Sequence, residues 1–160
     1  GAYHYNKASS VSVQNPEDLG ILAGHLEKAI VRDPQDFYVR SLASVMYNQF
    51  TSILAATSTT YTAEQYQQML NAVVSTADGS IAVNPYNAEN YLFSAELFRA
   101  LASGGVDGAD EQAMQRYALA SERDPHNPSI PLFQARLALQ ENDNEAAQTY
   151  LEGAIAKKAN

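Results

Sequence analysis

The sequence predicts an all-α fold, a right-handed solenoid of four antiparallel helical hairpins in which the second hairpin is elongated. Three observations carry this expectation. A small residue followed five positions later by proline recurs three times, as Ala29 with Pro34, Ser80 with Pro85 and Ala120 with Pro125, each beside Asp or Asn. Proline cannot continue a helix, and Asp or Asn caps the next one, so each copy marks a helix end and a helix start. The intervals fit one period with two insertions: Ala154 repeats the small-residue slot 34 residues after Ala120, Pro125 follows Pro85 by 40, and Pro85 follows Pro34 by 51. Capping signals fall where this spacing requires them. A single domain over residues 1–160 follows, with repeats at about 1–34, 35–85, 86–125 and 126–160.

Each helix has its own warrant. A first helix over 3–14 fills the space one repeat before Pro34. The second, 16–31, begins at Asn15-Pro16-Glu17-Asp18, a cap, a first-turn proline and two acids at the positive helix end. The third, 37–57, starts after Asp36. The fourth, 63–83, opens on Thr62-x-x-Gln65, a capping box, and stops before Asn84-Pro85. The fifth, 88–103, follows Asn87 and runs into Ser103-Gly104-Gly105-Val106-Asp107-Gly108, the strongest loop signal in the chain. The sixth, 109–123, carries Asp110 and Glu111 in its first turn. The seventh, 128–141, starts at Asn127-Pro128, and the eighth, 144–158, at Asp143-x-Glu145. No strand is expected.

Composition narrows the function. The formal charge is −8, from 10 Lys and Arg against 18 Asp and Glu. No basic stripe is visible, which argues against nucleic acid as a partner. Cysteine is absent, so no disulfide, thiolate nucleophile or Cys-ligated metal enters. No apolar run approaches the ~18 residues of a membrane span, so no direct membrane insertion is expected here. Gly1 stands where a Met would open a gene, and a piece of a longer protein is expected.

Catalytic constellations are missing, and no enzyme, cofactor or metal role is expected. His4, His25 and His126 fall in three separate sequence contexts, each read as a solvated or capping histidine. His25-Leu26-Glu27 lacks the i,i+4 histidine of a zinc-binding helix. Asp107-x-x-Asp110-Glu111 lacks the alternating oxygen ligands and distal Glu of a calcium loop. Nothing assembles Ser, His and Asp into a nucleophile, base and orienter.

The second hairpin differs from the others. It is lengthened by about 17 residues, roughly two turns per helix or about 12 Å. Between Arg40 and Asp78 its only charged residue is Glu64. Charge depletion with Tyr, Met and aliphatics is the composition of interface cores. Ile53, Leu54, Tyr61 and Tyr66 are therefore candidates for a docking surface at the hairpin tip, with Tyr47, Phe50 and Met69 beside them. At the other end, Ala147, Tyr150, Leu151, Ala154 and Ile155 form an apolar stripe too wide for one neighbour. A solenoid needs a polar face on its last helix, so further chain or a homo-oligomer is expected through this helix, with the second hairpin as an alternative contact.

Tyr91-x-x-Ser94-Ala95-x-x-Phe98 and Ala113-x-x-x-Tyr117-x-x-Ala120 with Pro125 resemble the first- and second-helix signatures of tetratricopeptide repeats, whose period is 34. Leu22, Leu26, Ala29 and Pro34, then Val73, Ala77, Ser80 and Pro85, then Ala147, Leu151 and Ala154 match in the same register. Pro131 and Ala138 stand where aromatics are usual. The resemblance implies a non-catalytic scaffold binding a protein or peptide in a groove lined by first helices. The facing positions carried over are Tyr38, Ser41, Val45 and Asn48, then Glu89, Leu92, Glu96 and Arg99, then Ser129, Leu132, Arg136 and Leu139. Chaperone-binding members clamp a terminal carboxylate with cations. Here Ser41, Leu92 and Leu132 occupy those places and Glu96 would repel the ligand, so that specificity is not implied. The run from Leu26-Glu27-Lys28-Ala29-Ile30 through Asp33-Pro34-Gln35-Asp36-Phe37-Tyr38 to Arg40-Ser41-Leu42, with Tyr5-x-Lys7-Ala8, looks like soluble tails of bacterial O-antigen ligase- and polymerase-like membrane proteins. That likeness implies, as an alternative, an accessory domain tethered to such a glycan enzyme, in an extracytoplasmic setting.

Overall fold

The computed structural model describes residues 1–11, 16–56 and 61–159. Among them are eight α-helices and no strand: α1 (Ala2–Ser9), α2 (Pro16–Arg32), α3 (Asp36–Ala55), α4 (Ala63–Val83), α5 (Ala88–Ser103), α6 (Ala109–Arg123), α7 (Ser129–Gln140) and α8 (Asn144–Ala159). The chain divides into two compact units, Gly1–Pro85 and Tyr86–Asn160, parted at the proline that ends the second repeat. Each unit holds two hairpins, α1/α2 and α3/α4 in the first, α5/α6 and α7/α8 in the second.

Helix ends follow local chemistry. The Thr62 hydroxyl accepts from Gln65 N–H while the Gln65 side chain accepts from Thr62 N–H, closing the expected capping box. Asn87 caps α5 by accepting from Glu89 N–H at 3.0 Å, and Asn127 accepts from Ser129 N–H at 2.9 Å. Asp143 accepts from Ala146 N–H at 2.9 Å. The cap expected at Asn15 lies outside the described residues. Asp36 departs from the pattern. It sits inside the first turn of α3, its carboxylate accepting from Phe37 N–H at 2.8 Å and pairing with Arg40 at 3.5 Å.

Two helices end in the same six-residue closure. After α5, Val106 N–H reaches Leu101 O at 3.1 Å and Gly105 N–H reaches Ala102 O at 2.9 Å. After α7, Asp143 N–H reaches Ala138 O at 2.9 Å and Asn142 N–H reaches Leu139 O at 3.2 Å. This closure needs one left-handed residue, supplied by Gly105 at φ 80° and Asn142 at φ 62°. The loop before α6 then spends a second positive φ, 71° at Gly108.

The first helix differs from expectation. It ends at Ser9, where 3–14 was anticipated, and Val11 is already outside it. Only Ala8 of α1 is fully buried. With so little apolar surface to dock, there is little to hold a longer helix against its neighbours. α3 ends at Ala55, not 57, and residue 57 lies outside the described residues.

The small residues expected at helix crossings are buried. Ala29, Ser80 and Ala120 are 0% exposed and Ala154 is 4% exposed. Around the second of these, Val73 and Ala77 are buried, as are Tyr91, Ser94, Ala95, Ala113 and Tyr117 in the third repeat. In the first unit Ala8, Leu19, Leu26 and Val45 form a core joined by Tyr5, Leu22, Ala23 and Leu42. Replacing Ala120 with Leu forces three heavy atoms into a filled crossing. It should cost about 1–3 kcal/mol in denaturant unfolding, whereas the same change at exposed Ala118 should be nearly neutral.

Candidate protein-interaction surfaces

The end of the α3/α4 hairpin is built from uncharged residues. Phe50, near the end of α3, is buried, and its ring meets Tyr66 of α4 edge-on at 6.5 Å. Tyr66 in turn meets Tyr61 edge-on at 5.8 Å. The capping box at Thr62 fixes where Tyr61 leaves the helix. Leu54 is 54% exposed and Tyr61 44% exposed, while Ile53 and Tyr66 are half-buried behind them. Ile53 also lines a hollow of about 470 Å³ with Leu19, Gln49, Ser52 and Ala56. The one acid here, Glu64, is held below the usual carboxylate range by its own backbone N–H and then by the Thr62 hydroxyl. Its charge therefore completes a helix start.

The first-helix faces are less uniform than the sequence implies. In α3, Tyr38 and Val45 are buried and present no surface to a partner. Tyr38 packs on Tyr5 of α1 at 4.9 Å and on Phe37 at 4.2 Å, and Val45 belongs to the core that includes Ala8. Ser41 is half-buried and donates to Phe37 O at 2.8 Å, and Asn48 is exposed. In α5, Leu92 is buried as well, while Glu89 is exposed. In α7 all four carried-over positions reach solvent: Ser129, Leu132, Arg136 and Leu139. Leu132 is 46% and Leu139 53% exposed, and the Arg136 guanidinium lies 5.6 Å from the Phe133 ring.

Glu96 plays a different part from the one its sequence position implied. Arg99 grips its carboxylate through Nε at 3.3 and 3.2 Å and through Nη2 at 3.0 Å. The hydroxyl of Tyr117, wholly buried in α6, donates to the same carboxylate. A charge neutralised in this way no longer acts as a free repeller of anionic ligands. Alongside, Arg116 Nε donates to the buried Ser94 hydroxyl at 2.6 Å and its guanidinium sits 4.4 Å from the Phe98 ring. The Glu96/Arg99 pair is legible at i,i+3. The joining of Tyr117 and Arg116 to α5 has no signal in sequence, because each spans about twenty residues and depends on how α5 and α6 cross.

Two further groupings appear only on folding. His4 and His25, separate in sequence, come together with ring centroids 6.2 Å apart and planes 28° apart. Asp110, Glu111, Glu141 and Asp143 line a hollow of about 250 Å³ with Met114 and Tyr150. Among the described residues, no three His, Cys, Asp or Glu side chains are grouped so as to hold a metal ion. No described helix is long and apolar enough to cross a membrane. On α8, Ala147 and Ala154 are buried, Tyr150 is half-buried, and Leu151 and Ile155 are exposed.

No protein-family model matches this chain, and no curated protein sequence matches it. Among solved structures it is similar to one titled "MamA MSR-1 C2", with 13% identity and a TM-score of 0.59 over 99% of this chain and 89% of that one. A second, titled "Crystal structure of MamA", has 14% identity and a TM-score of 0.49 over 89% of this chain and 90% of that one. MamA contains tetratricopeptide repeats, and the fold of this chain is tetratricopeptide-like.

The Tyr117 phenol is pushed well above the usual tyrosine range, first by burial and then by its bond to Glu96. The folded protein thus keeps this proton while the unfolded chain releases it near pH 10. Stability from this group is present below pH 10 and lost as pH rises beyond it. Tyr117→Phe should cost about 1–3 kcal/mol at pH 7, as for a hydrogen bond to a charged acceptor. The gap to the parent should narrow above pH 10, as read from denaturant melts at both pH values.

Proposed function

We propose that this chain is a protein-interaction scaffold whose main contact surface is the end of the α3/α4 hairpin. The tetratricopeptide-like fold supports a scaffold role at the coarse level. The observation that carries the finer reading is the exposure of Leu54 and Tyr61 at the end of a hairpin with a single charged residue between Arg40 and Asp78. Grouped apolar and aromatic side chains of this kind mark contact sites. The edge-on stack of Phe50, Tyr66 and Tyr61 supports the surface from behind, so little side-chain freedom remains to be lost on binding. The first-helix face is the weaker candidate, since Tyr38, Val45 and Leu92 are in the core.

A comparison of two variants tests this. Leu54→Lys with Tyr61→Glu should leave stability within about ±0.5 kcal/mol. It should also abolish retention of a protein that the parent chain captures from a native extract. Leu132→Glu with Leu139→Glu, on the exposed face of α7, should retain it. The opposite pattern places the contact on the first-helix face, and unfolding of the tip variant makes Leu54 and Tyr61 structural.

A second reading, self-association through α8, is favoured by the exposure of Leu151 and Ile155. In sedimentation velocity the parent chain should then show concentration-dependent dimers that Leu151→Glu with Ile155→Glu removes. A monomer at every concentration tested would overturn it.

A further inference from the structure

The α1/α2 contact holds two histidines in an arrangement suited to one protonation state only. His4 and His25 stack at 6.2 Å, and the Nδ1 atoms of both are shielded from solvent with no hydrogen-bond partner among the described residues. A neutral imidazole tolerates this, with its proton on Nε2 and a bare lone pair at Nδ1. A protonated imidazole does not, because it then carries an N–H at Nδ1 with no acceptor.

The surrounding charges point the same way. On α2, the positive charges of Arg32 and Lys28 both act on His4. The Tyr3 ring meets His4 edge-on at 5.2 Å. α1 itself has no acid in its first turn and carries Lys7 in its last. Asp33, a carboxylate in this neighbourhood, stands against Gly1 and accepts a hydrogen bond from Gln35 Nε2 at 2.8 Å.

We propose that α1 is a pH-labile cover over α2 and α3, latched by the His4/His25 stack and released when His4 takes up a proton. The cover is weakly held otherwise. Only Ala8 of its eight residues is fully buried, and a hollow of about 270 Å³ remains beneath it, lined by Tyr5 and Ala8 of α1 together with Leu22, Leu26, Ser41 and Val45. Release uncovers an apolar strip on α2 and α3 that includes Leu22, Leu26 and Val45. It also frees Tyr38 from Tyr5, so the face of α3 that is closed at neutral pH becomes accessible.

The direction follows from the chemistry. Burial, then Arg32, His25 and Lys28, hold His4 below the ordinary histidine value. A histidine depressed in the folded state contributes docking stability above its unfolded value near 6.5 and loses it as pH falls.

Hydrogen exchange of the full chain, corrected for the intrinsic pH dependence, reads this helix by helix. Protection of α1 amides should be lost between pH 7.5 and pH 5.0 while that of α5 and α6 is kept. His4→Phe and His25→Phe keep a stacking ring that cannot be protonated, and at least one of them should retain α1 protection at pH 5.0. In the parent chain, NMR titration should place His4 below 6.5. Unchanged α1 protection at pH 5.0, loss persisting in both variants, or a His4 midpoint at or above 6.5 would each overturn the latch.

Discussion

Each hairpin depends on two helices approaching so closely that one must carry almost no side chain at the crossing. Ala29, Ser80, Ala120 and Ala154 occupy that place, all buried. Close approach brings backbone and side-chain atoms into van der Waals contact along the pair, where each contact is small and their sum large. It also dictates what lies opposite. In the second unit the gap beside Ala95, Ala113 and Ala120 is filled by Tyr117, whose ring stacks 6.1 Å from Phe133 of α7. The same phenol ends on Glu96, so one side chain ties the α5/α6 crossing to α7 and to an ion pair.

Polar satisfaction explains how the second hairpin stays helical with almost no charge. Its hydroxyls turn back onto their own helix: Ser41 to Phe37 O at 2.8 Å, Ser52 to Asn48 O at 2.7 Å and Thr76 to Ala72 O at 2.8 Å. Such bonds satisfy the side chain within its own helix, and Thr76 in addition reaches Met46 Sδ of α3 at 3.5 Å. What remains at the surface is then neutral and partly aromatic. The second unit solves the same problem differently, with Arg99, Arg116 and Arg136 laid on Glu96, Phe98 and Phe133. The two units therefore present chemically distinct surfaces, one with Glu64 as the single charge at its hairpin end and one patterned by arginine and leucine.

The short first helix shifts the balance between candidate surfaces. Tyr5 fills the space over Tyr38 and Phe37, and Ala8 joins the core with Val45. That contact turns residues with the register of a binding face into core residues. At the hairpin end, by contrast, Leu54 and Tyr61 stay exposed. The α1 contact combines one fully buried alanine, the Tyr5 ring on Phe37 and Tyr38, and the His4/His25 stack.

The all-α class, the helix starts at Thr62, Asn87 and Asn127, and the buried small residues were legible in sequence because each is local or periodic. A cap acts over three residues, and a repeat shows its register through residue size alone. The end of α1, the burial of Tyr38, Val45 and Leu92, and the meetings of His4 with His25 and of Tyr117 with Glu96 were not. These depend on how much apolar area a neighbouring helix offers and on the angle at which it crosses, which distant residues set together. Sequence by itself thus determined which segments are helical and which positions face a crossing. Tertiary structure decided which facing positions are covered, because burial is a property of pairs of helices and no single helix encodes it.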